Sequence, residues 1–171
     1  MSGGASLIES RLMNFLVFDA PTDESLPKLV KVLKKHNCRD VVRCCDSSYD
    51  DEVLHQASVA THSMVFADGT APPKEVLTAW LALLERVRRE ASQPSSSSSS
   101  SDSKPCIGLH CVAGLGRSPL LVAIALIEQG ATPLDAVTQV RAARPGSINL
   151  PQLRFLQAYK AKSKKAKCSI Q

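Results

Sequence analysis

The segment Cys106-Ile107-Gly108-Leu109-His110-Cys111-Val112-Ala113-Gly114-Leu115-Gly116-Arg117-Ser118-Pro119 sets the expectations for the rest of the chain. An apolar run ends at a cysteine, a loop with two glycines follows, and a long apolar segment begins at an arginine. This order predicts a β-strand, a tight loop and the start of a helix. The backbone N–H groups of such a loop converge near the helix N-terminus, where the helix dipole favours negative charge. The segment therefore predicts a binding site for a tetrahedral dianion such as phosphate.

Two side chains at the ends of this loop carry the predicted chemistry. A cysteine attacks as a thiolate, and the field that binds phosphate also stabilises the Cys111 anion. The planar guanidinium of Arg117 can hold two phosphate oxygens at once, which a lysine cannot do. The alternative is a buried structural cysteine before an ordinary strand–helix turn, and the Cys-x5-Arg spacing argues against it. The predicted phosphate-binding residues are Val112, Ala113, Gly114, Leu115, Gly116 and Arg117.

Segment 110–118 resembles the His-Cys-x5-Arg-Ser signature of cysteine-dependent protein phosphatases. Its first eight residues and the apolar helix after them are similar to the phosphatases of regenerating liver (PRL), a family of prenylated protein tyrosine phosphatases. The resemblance implies a single α/β domain of the dual-specificity-phosphatase type. It also implies hydrolysis of phosphomonoesters on phosphotyrosine or phosphoserine/threonine proteins through a phosphocysteine at Cys111, and no cofactor is expected.

The rest of the chain also predicts an α/β domain with a mostly parallel central sheet, because strand patterns alternate with helical ones. Its 171 residues suffice for one core. The serine-rich segment 92–105 cannot bury apolar surface, so it predicts a flexible surface loop inside a single phosphatase domain of residues 1–160. The predicted strands are 12–18, 39–45, 59–66 and the run before Cys111, and the predicted helices are 24–37, 74–90, 117–129, 134–143 and 151–159.

Phosphoryl transfer also needs an acid to protonate the leaving oxygen, and Asp68 is the candidate. It lies in Phe66-Ala67-Asp68-Gly69-Thr70-Ala71-Pro72-Pro73, which resembles the Phe-Asp-Asp-Gly-Ala-Pro-Pro loop of the PRL family. The second Asp of that loop is the family's acid. Ala67 replaces the first Asp and Thr70 is an extra residue, so the loop geometry departs from the family pattern. The alternative is a solvent-exposed Asp in a turn.

A second cysteine is implied by resemblance alone. Segment 42–50 resembles the family's Val-Arg-x-Cys-Glu-Ala-Thr-Tyr-Asp, in which the Cys forms a reversible disulfide with the nucleophile. Cys45 is then the resolving thiol, which protects Cys111 from irreversible oxidation, and Cys44 is a bystander. Tyr49 and Asp50 are expected to shape the pocket mouth and orient Arg117. The alternative is a pair of core cysteines at the end of a strand.

Three further residues are expected to support the reaction. His110 either hydrogen-bonds near Cys111 and tunes the thiolate or is simply a buried histidine. Gln152 lies in a segment similar to the Arg-Pro-Gly…Gln segment of dual-specificity phosphatases; it is a candidate for placing water, or only a polar residue at a helix start. Ser118 stands where the PRL enzymes carry Ala, and its hydroxyl can donate to the sulfur of Cys111 as phosphate leaves.

Basic charge is concentrated at the carboxyl end of the chain. No acidic residue follows Asp135. The positive charges beyond it outnumber the net charge of +5, so the part of the chain up to Asp135 carries a net negative charge. This distribution favours a local anionic partner and argues against a nucleic-acid binder. The basic residues beyond Asp135 are Arg141, Arg144, Arg154, Lys160, Lys162, Lys164, Lys165 and Lys167.

The chain ends in Cys168-Ser169-Ile170-Gln171, which fits the C-a-a-X prenylation motif with Gln favouring farnesyl. One prenyl chain anchors weakly, and the basic run 160–167 supplies a second attraction to anionic lipids. Residues 161–171 are thus predicted to tether the domain to the cytoplasmic face of the plasma or endosomal membrane. The alternative is a solvated lysine-rich tail with a cysteine at that position by chance.

The six cysteines are expected to be reduced, because the sequence begins without a secretory signal and has no Cys-x-x-Cys pair. The His and Cys residues between positions 36 and 45 lack zinc-site spacing, so no metal is expected. Two other functions stay open. One is a binding module for CNNM-type magnesium transport mediators, implied by the resemblance. The other is a lipid phosphatase, which the absence of lysine from the loop does not favour.

Overall fold

The computed structural model describes residues 4–93 and 104–162. These residues form a five-stranded sheet in the order β1-β2-β5-β3-β4, with helices on both of its faces. The strands are β1 (Ser6–Ile8), β2 (Asn14–Asp19), β3 (Cys38–Arg43), β4 (Ala60–Ser63) and β5 (Cys106–Cys111). The helices are α1 (Leu26–Lys35), α2 (Glu52–Gln56), α3 (Lys74–Ala91), α4 (Arg117–Glu128), α5 (Pro133–Ala143) and α6 (Leu150–Ala158).

Strand β5 is the centre of the sheet. It pairs in parallel with β2 on one side and with β3 on the other, and all six of its residues are buried. A Cβ at Gly108 would lie 3.1 Å from side-chain atoms of Leu33 and Val41, so only glycine leaves room for α1 to pack this closely. The central position of β5 brings its last residue, Cys111, to the carboxyl edge of the sheet.

Side chains alternate between two cores, one on each face of the sheet. Phe15 and Val17 of β2 join the larger core with α3 to α6, while Leu16 and Phe18 join the smaller core with α1 and α2. Helix α4 is buried along almost its whole length, as a nearly continuous apolar sequence predicts. This buried helix fixes where the loop after β5 must end.

The predicted α/β fold with a mostly parallel sheet is confirmed. Two short elements were not predicted, because three residues in β1 and five in α2 are too few to show a period. Strand β1 runs antiparallel at one edge of the sheet. Strand β4 is shorter than predicted, and Met64 continues the chain beyond it with a single backbone hydrogen bond to Arg43.

Two predicted segments lie wholly or partly outside the described residues. Only the ends of the serine-rich segment 92–105 are described, and of the tail only residues up to 162. The domain limits and the roles given to these segments therefore stay predictions. Within the two described ranges, none of the helices combines the length and the apolar character that crossing a membrane requires.

Candidate active site

The loop of residues 112–116 joins the end of β5 to the start of α4, and it curls around the sulfur of Cys111. Burial alone raises the pKa of this thiol. Hydrogen bonds from the Ser118 hydroxyl and from the backbone of Ser118, Gly116 and Gly114 outweigh that effect and hold the pKa below its ordinary value. The Ser118 Oγ lies 3.4 Å from the sulfur. The site is therefore built to hold a thiolate.

The loop can direct its N–H groups inward because its carbonyl groups are bonded on the outside. Val112 O accepts from the Ala20 N–H at 3.0 Å, and Leu115 O accepts from the Ile148 N–H at 2.9 Å. Gly114 has a φ of +61°, and a Cβ there would lie 2.9 Å from Phe18 O. Only glycine fits this left-handed turn against the neighbouring strand.

Arg117 opens α4 and lies almost fully buried. Its Nη1 donates to Cys44 O at 3.1 Å and to Phe66 O at 3.2 Å. These two carbonyls hold the guanidinium in a fixed orientation before any ligand binds. Arg117 thus lies at the end of the phosphate loop, next to Ser118, whose hydroxyl contacts the Cys111 sulfur.

Asp68 lies on the loop between β4 and α3 and reaches over the phosphate loop. Its Oδ1 is 3.3 Å from Arg117 Nε, although that N–H makes no hydrogen bond, and 75% of the Asp68 side chain is exposed. A Cβ at Gly116 would lie 3.2 Å from the same oxygen. The candidate acid therefore lies at the mouth of the candidate pocket and contacts solvent.

Residues at the start of α6 hydrogen-bond to the loop that contains Asp68. Asn149 and Gln152 form a capping box, in which each side chain accepts from the other residue's backbone N–H. The same two side chains donate to the neighbouring loop, Asn149 Nδ2 to Gly69 O at 3.0 Å and Gln152 Nε2 to Thr70 O at 3.3 Å. Gln152 is thus the polar residue of a helix start, and the water-placing role stays a prediction.

Characterised and solved relatives match the chain over most of its length. A probable protein tyrosine phosphatase type IVA A from Dictyostelium discoideum is 48% identical over 166 residues, which cover 97% of this chain and 93% of the relative. The PRL-1 phosphatase of Drosophila melanogaster is 38% identical and covers 97% of this chain and 92% of its own length. The chain belongs to the PRL, or type IVA, family of protein tyrosine phosphatases.

The fold comparison agrees with this family. The solved structure of a putative protein tyrosine phosphatase from Leishmania major has a TM-score of 0.77 and 38% identity, covering 92% of this chain and 99% of that one. No protein-family model matches the chain. The predictions of family, fold class and enzyme type from the sequence are confirmed, and phosphoproteins follow as the substrate class.

In this PRL-family enzyme, the recorded partners of Tyr49 are residues other than Arg117. Its hydroxyl lies 3.0 Å from Nε2 of His110, and its ring lies under the guanidinium of Arg43. The Arg117 guanidinium donates to the Cys44 and Phe66 carbonyls, and the role expected for Tyr49 at the pocket mouth stays a prediction. Asp50 is also away from Arg117: it accepts from the Glu52 N–H, and its own N–H donates to Asp23.

His110 lies fully buried between two predicted site residues. Its Nδ1 is 4.0 Å from the sulfur of Cys45, and its Nε2 faces the Tyr49 hydroxyl. Burial lowers the pKa of His110 to about 4, against a smaller opposing effect of a backbone hydrogen bond with Cys111. The imidazole is therefore neutral at physiological pH and supplies no positive charge to the thiolate.

The two cysteines after β3 differ from Cys111 in their protonation. Burial raises the pKa of the Cys44 thiol, and it also raises that of Cys45 despite the nearby positive charge of Arg117. Both are free thiols in the structure. Cys45 follows the strand next to β5, so it shares the carboxyl edge of the sheet with Cys111. At neutral pH, Cys111 is the thiol that is set up to ionise.

Sequence reasoning missed two residues of this site. Arg144 was given no role at the site, yet it is buried and bonds to carbonyls of the phosphate loop. It is the Arg of the Arg-Pro-Gly…Gln segment that contains Gln152, and that resemblance was the available signal. Asp19, which pairs with Arg144, ends β2 at the carboxyl edge of the sheet, and that position was the available signal.

We expect the ring of His110 to stay neutral through the physiological pH range, because burial disfavours its charged form. Its ring 15N NMR shifts, assigned with a His110→Asn variant, should be constant from pH 8 to pH 5.5 and titrate with a midpoint of about 4. A midpoint at or above the ordinary value of about 6.5 would contradict this account.

Proposed function

We propose that this PRL-family phosphatase hydrolyses phosphotyrosine and related phosphomonoesters through a phosphocysteine at Cys111. One observation supports this most: the buried sulfur lies where hydrogen bonds from Ser118, Gly116 and Gly114 converge. These hydrogen bonds lower the pKa of the Cys111 thiol and so favour its thiolate form. When phosphate enters, the same N–H groups are available to its oxygens.

In the first step, the Cys111 thiolate attacks phosphorus and the bond to the leaving oxygen breaks. Arg117, preset by two backbone carbonyls, binds two of the equatorial phosphoryl oxygens and neutralises their charge. Asp68 gives its proton to the leaving oxygen, so the alcohol or phenol departs neutral. The position of Asp68 beside Arg117 and over Gly116 supports this role.

In the second step, water attacks the phosphocysteine and the Cys111 sulfur leaves as a thiolate. Asp68, now ionised, accepts the proton of the water, and Gln152 beside Gly116 helps to place that water. The Ser118 hydroxyl, 3.4 Å from the sulfur, donates to it as negative charge returns. Inorganic phosphate is then released and the free enzyme is restored.

We also propose reversible inactivation by peroxide. Peroxide oxidises the Cys111 thiolate to a sulfenic acid and is itself reduced to water. The Cys45 sulfur then displaces hydroxide, which leaves as water with the proton of Cys45, and a Cys45–Cys111 disulfide forms. Their shared position at the sheet edge supports this step. Peptide mapping under non-reducing conditions checks it, and a peroxide-treated protein without this disulfide would contradict it.

The tail is proposed to tether the enzyme to anionic membranes through Lys160, Lys162, further lysines up to residue 167, and a prenylated Cys168. The Lys162 N–H donates to Glu128 at the end of α4. Because α4 begins at the phosphate loop and has 12 residues, the tail leaves the domain about 18 Å from the site. Mass spectrometry of the C-terminal peptide from cells checks the modification, and an unmodified Cys168 would contradict it.

The alternative function is binding with slow turnover, in which a CNNM-type magnesium transport mediator occupies the same pocket. Val112 and Leu115 of the phosphate loop are 64% and 41% exposed, and apolar side chains at a pocket mouth suit a protein partner. Ser118 favours turnover instead, because it assists the second step. Hydrolysis of a phosphoinositide is the less favoured third function, since the loop carries no lysine.

Burst kinetics with an aryl phosphate, a phosphotyrosyl peptide and a phosphoinositide test the nucleophile. Cys111→Ser should lower turnover at least about 10³-fold, since it removes the covalent step. Cys106→Ser, at the opposite end of the same buried strand, is the matched control and should retain turnover. Activity that survives in Cys111→Ser would refute the mechanism.

The acid is tested by the leaving group. Asp68→Ala should slow a substrate with a poor leaving group about 10²-fold, because no proton is delivered to the departing oxygen. A substrate with a good leaving group should be much less affected and is the internal control. Equal effects on both substrates would remove the acid assignment and leave Cys111 as nucleophile.

Ser118→Ala tests the second step. Losing a hydroxyl that donates to a departing thiolate should slow phosphocysteine hydrolysis about tenfold, and should slow it more than it slows the burst. Pre-steady-state kinetics separate the two rates. Identical ratios of burst rate to steady-state rate in the variant and the parent would show that the hydroxyl has no such role.

A further inference from the structure

Arg144 lies directly after α5, and its side chain is buried behind the phosphate loop. Its Nε donates to Gly114 O at 2.8 Å and its Nη2 donates to Ala113 O at 3.0 Å. Nη2 also pairs with the Asp19 carboxylate, and Nη1 donates to Gly4 O at 3.0 Å. One guanidinium thus joins the loop to β2 and to the segment that leads into β1.

The two loop carbonyls belong to consecutive peptide groups, and the N–H of the first of them bonds to the Cys111 sulfur. The carbonyl of Ala113 is in the same peptide plane as the Gly114 N–H, which is one of the hydrogen bonds to the Cys111 sulfur. The carbonyl of Gly114 is in the same plane as the Leu115 N–H. In a trans peptide the C=O and N–H point in opposite directions, so holding the oxygen behind the loop turns the N–H inward.

Backbone N–H groups hold the other three carbonyls of this loop, including Gly116 O, which accepts from the Leu120 N–H. Val112 O accepts from Ala20 N–H and Leu115 O from Ile148 N–H, while the two between them depend on the Arg144 side chain. This middle part is also where the loop turns through the positive φ of Gly114. A left-handed turn held by one side chain is the place where the loop can most easily change its peptide orientation.

We propose that Arg144 is a positioning residue for phosphoryl transfer: it holds the peptide groups 113–114 and 114–115 with their N–H groups directed at Cys111 and at its phosphate. The inference rests on the function proposed above and extends it to a residue that touches neither the sulfur nor the pocket.

Geometry, and not net charge, explains the role of Arg144. The Asp19 carboxylate pairs with the guanidinium, so the loop experiences little uncompensated charge from behind. A planar guanidinium can donate to two carbonyls and a carboxylate at once, whereas the ammonium group of lysine cannot match that arrangement. A Cβ at Gly114 would lie 2.5 Å from Arg144 Nη2, so the guanidinium in this position leaves no room for a side chain at residue 114.

Alkylation of Cys111 by iodoacetamide across a pH series, followed by peptide mass spectrometry, tests this role without requiring turnover. Arg144→Met should move the midpoint of Cys111 alkylation up by about one pH unit and weaken protection by inorganic phosphate about tenfold. Arg144→Lys should produce most of the same change, because it keeps the charge and loses the planar contacts. Arg86→Met is the matched control: it removes a half-exposed arginine paired with buried Asp40, away from the loop, and should change neither readout.

An Arg144→Lys protein that is folded and keeps the parent midpoint and phosphate protection would overturn the proposal, even if its melting temperature falls. If Arg144→Met does not fold, the Arg144→Lys variant alone tests the proposal. The proposed function is refuted by a different result, namely activity that survives in Cys111→Ser. Even then, a shifted alkylation midpoint in the Arg144 variants would show that Arg144 positions the loop.

Discussion

A thiolate buried in a protein needs hydrogen-bond donors in fixed positions, and the structure around Cys111 meets this requirement. Burial by itself disfavours the anion, and hydrogen bonds from Ser118, Gly116 and Gly114 reverse that preference. Those N–H groups face inward because the carbonyls of the loop are bonded outside, to Ala20, Ile148 and Arg144. The catalytic field is thus a consequence of how the back of the loop is packed.

The fold supplies the rigid ends that this loop needs. Strand β5 is fully buried between two parallel neighbours, and α4 is buried along nearly all of its length. The loop therefore starts and ends at points that cannot shift without disturbing both cores. Asp68 differs, because its side chain is mostly exposed and its loop is held mainly by Asn149 and Gln152. The nucleophile lies on the stable part of the molecule and the candidate acid on the more accessible part.

The local sequence was sufficient to predict those site residues that lie close to one another in the chain. Cys111, Arg117 and Ser118 follow from the spacing of the strand–loop–helix motif, and the Ser118 hydroxyl lies 3.4 Å from the Cys111 sulfur. Asp68 could be placed through its loop motif, although it is remote in sequence. Contacts that depend on packing between distant segments could not be predicted, such as the contact of the Tyr49 hydroxyl with His110.

Arg144 illustrates the same limit. Its carbonyl partners lie 30 and 31 residues earlier in the chain, and the Arg-Pro-Gly segment to which it belongs does not indicate which groups it bonds to. The short elements β1 and α2 were missed for a different reason, because neither is long enough to repeat a hydrophobic period. The family resemblance identified the reacting residues, and the structure is needed to see what holds them.

The central claim is that phosphate passes through a covalent bond to Cys111. Rapid acid quenching during turnover, followed by mass spectrometry of the peptide that contains residues 106–117, tests it most directly. The account predicts a single phosphoryl group on Cys111 that forms within the burst phase and disappears as phosphate is released. A phosphoryl group on any other residue, or turnover with no phosphorylated peptide under conditions that preserve phosphocysteine, would contradict it.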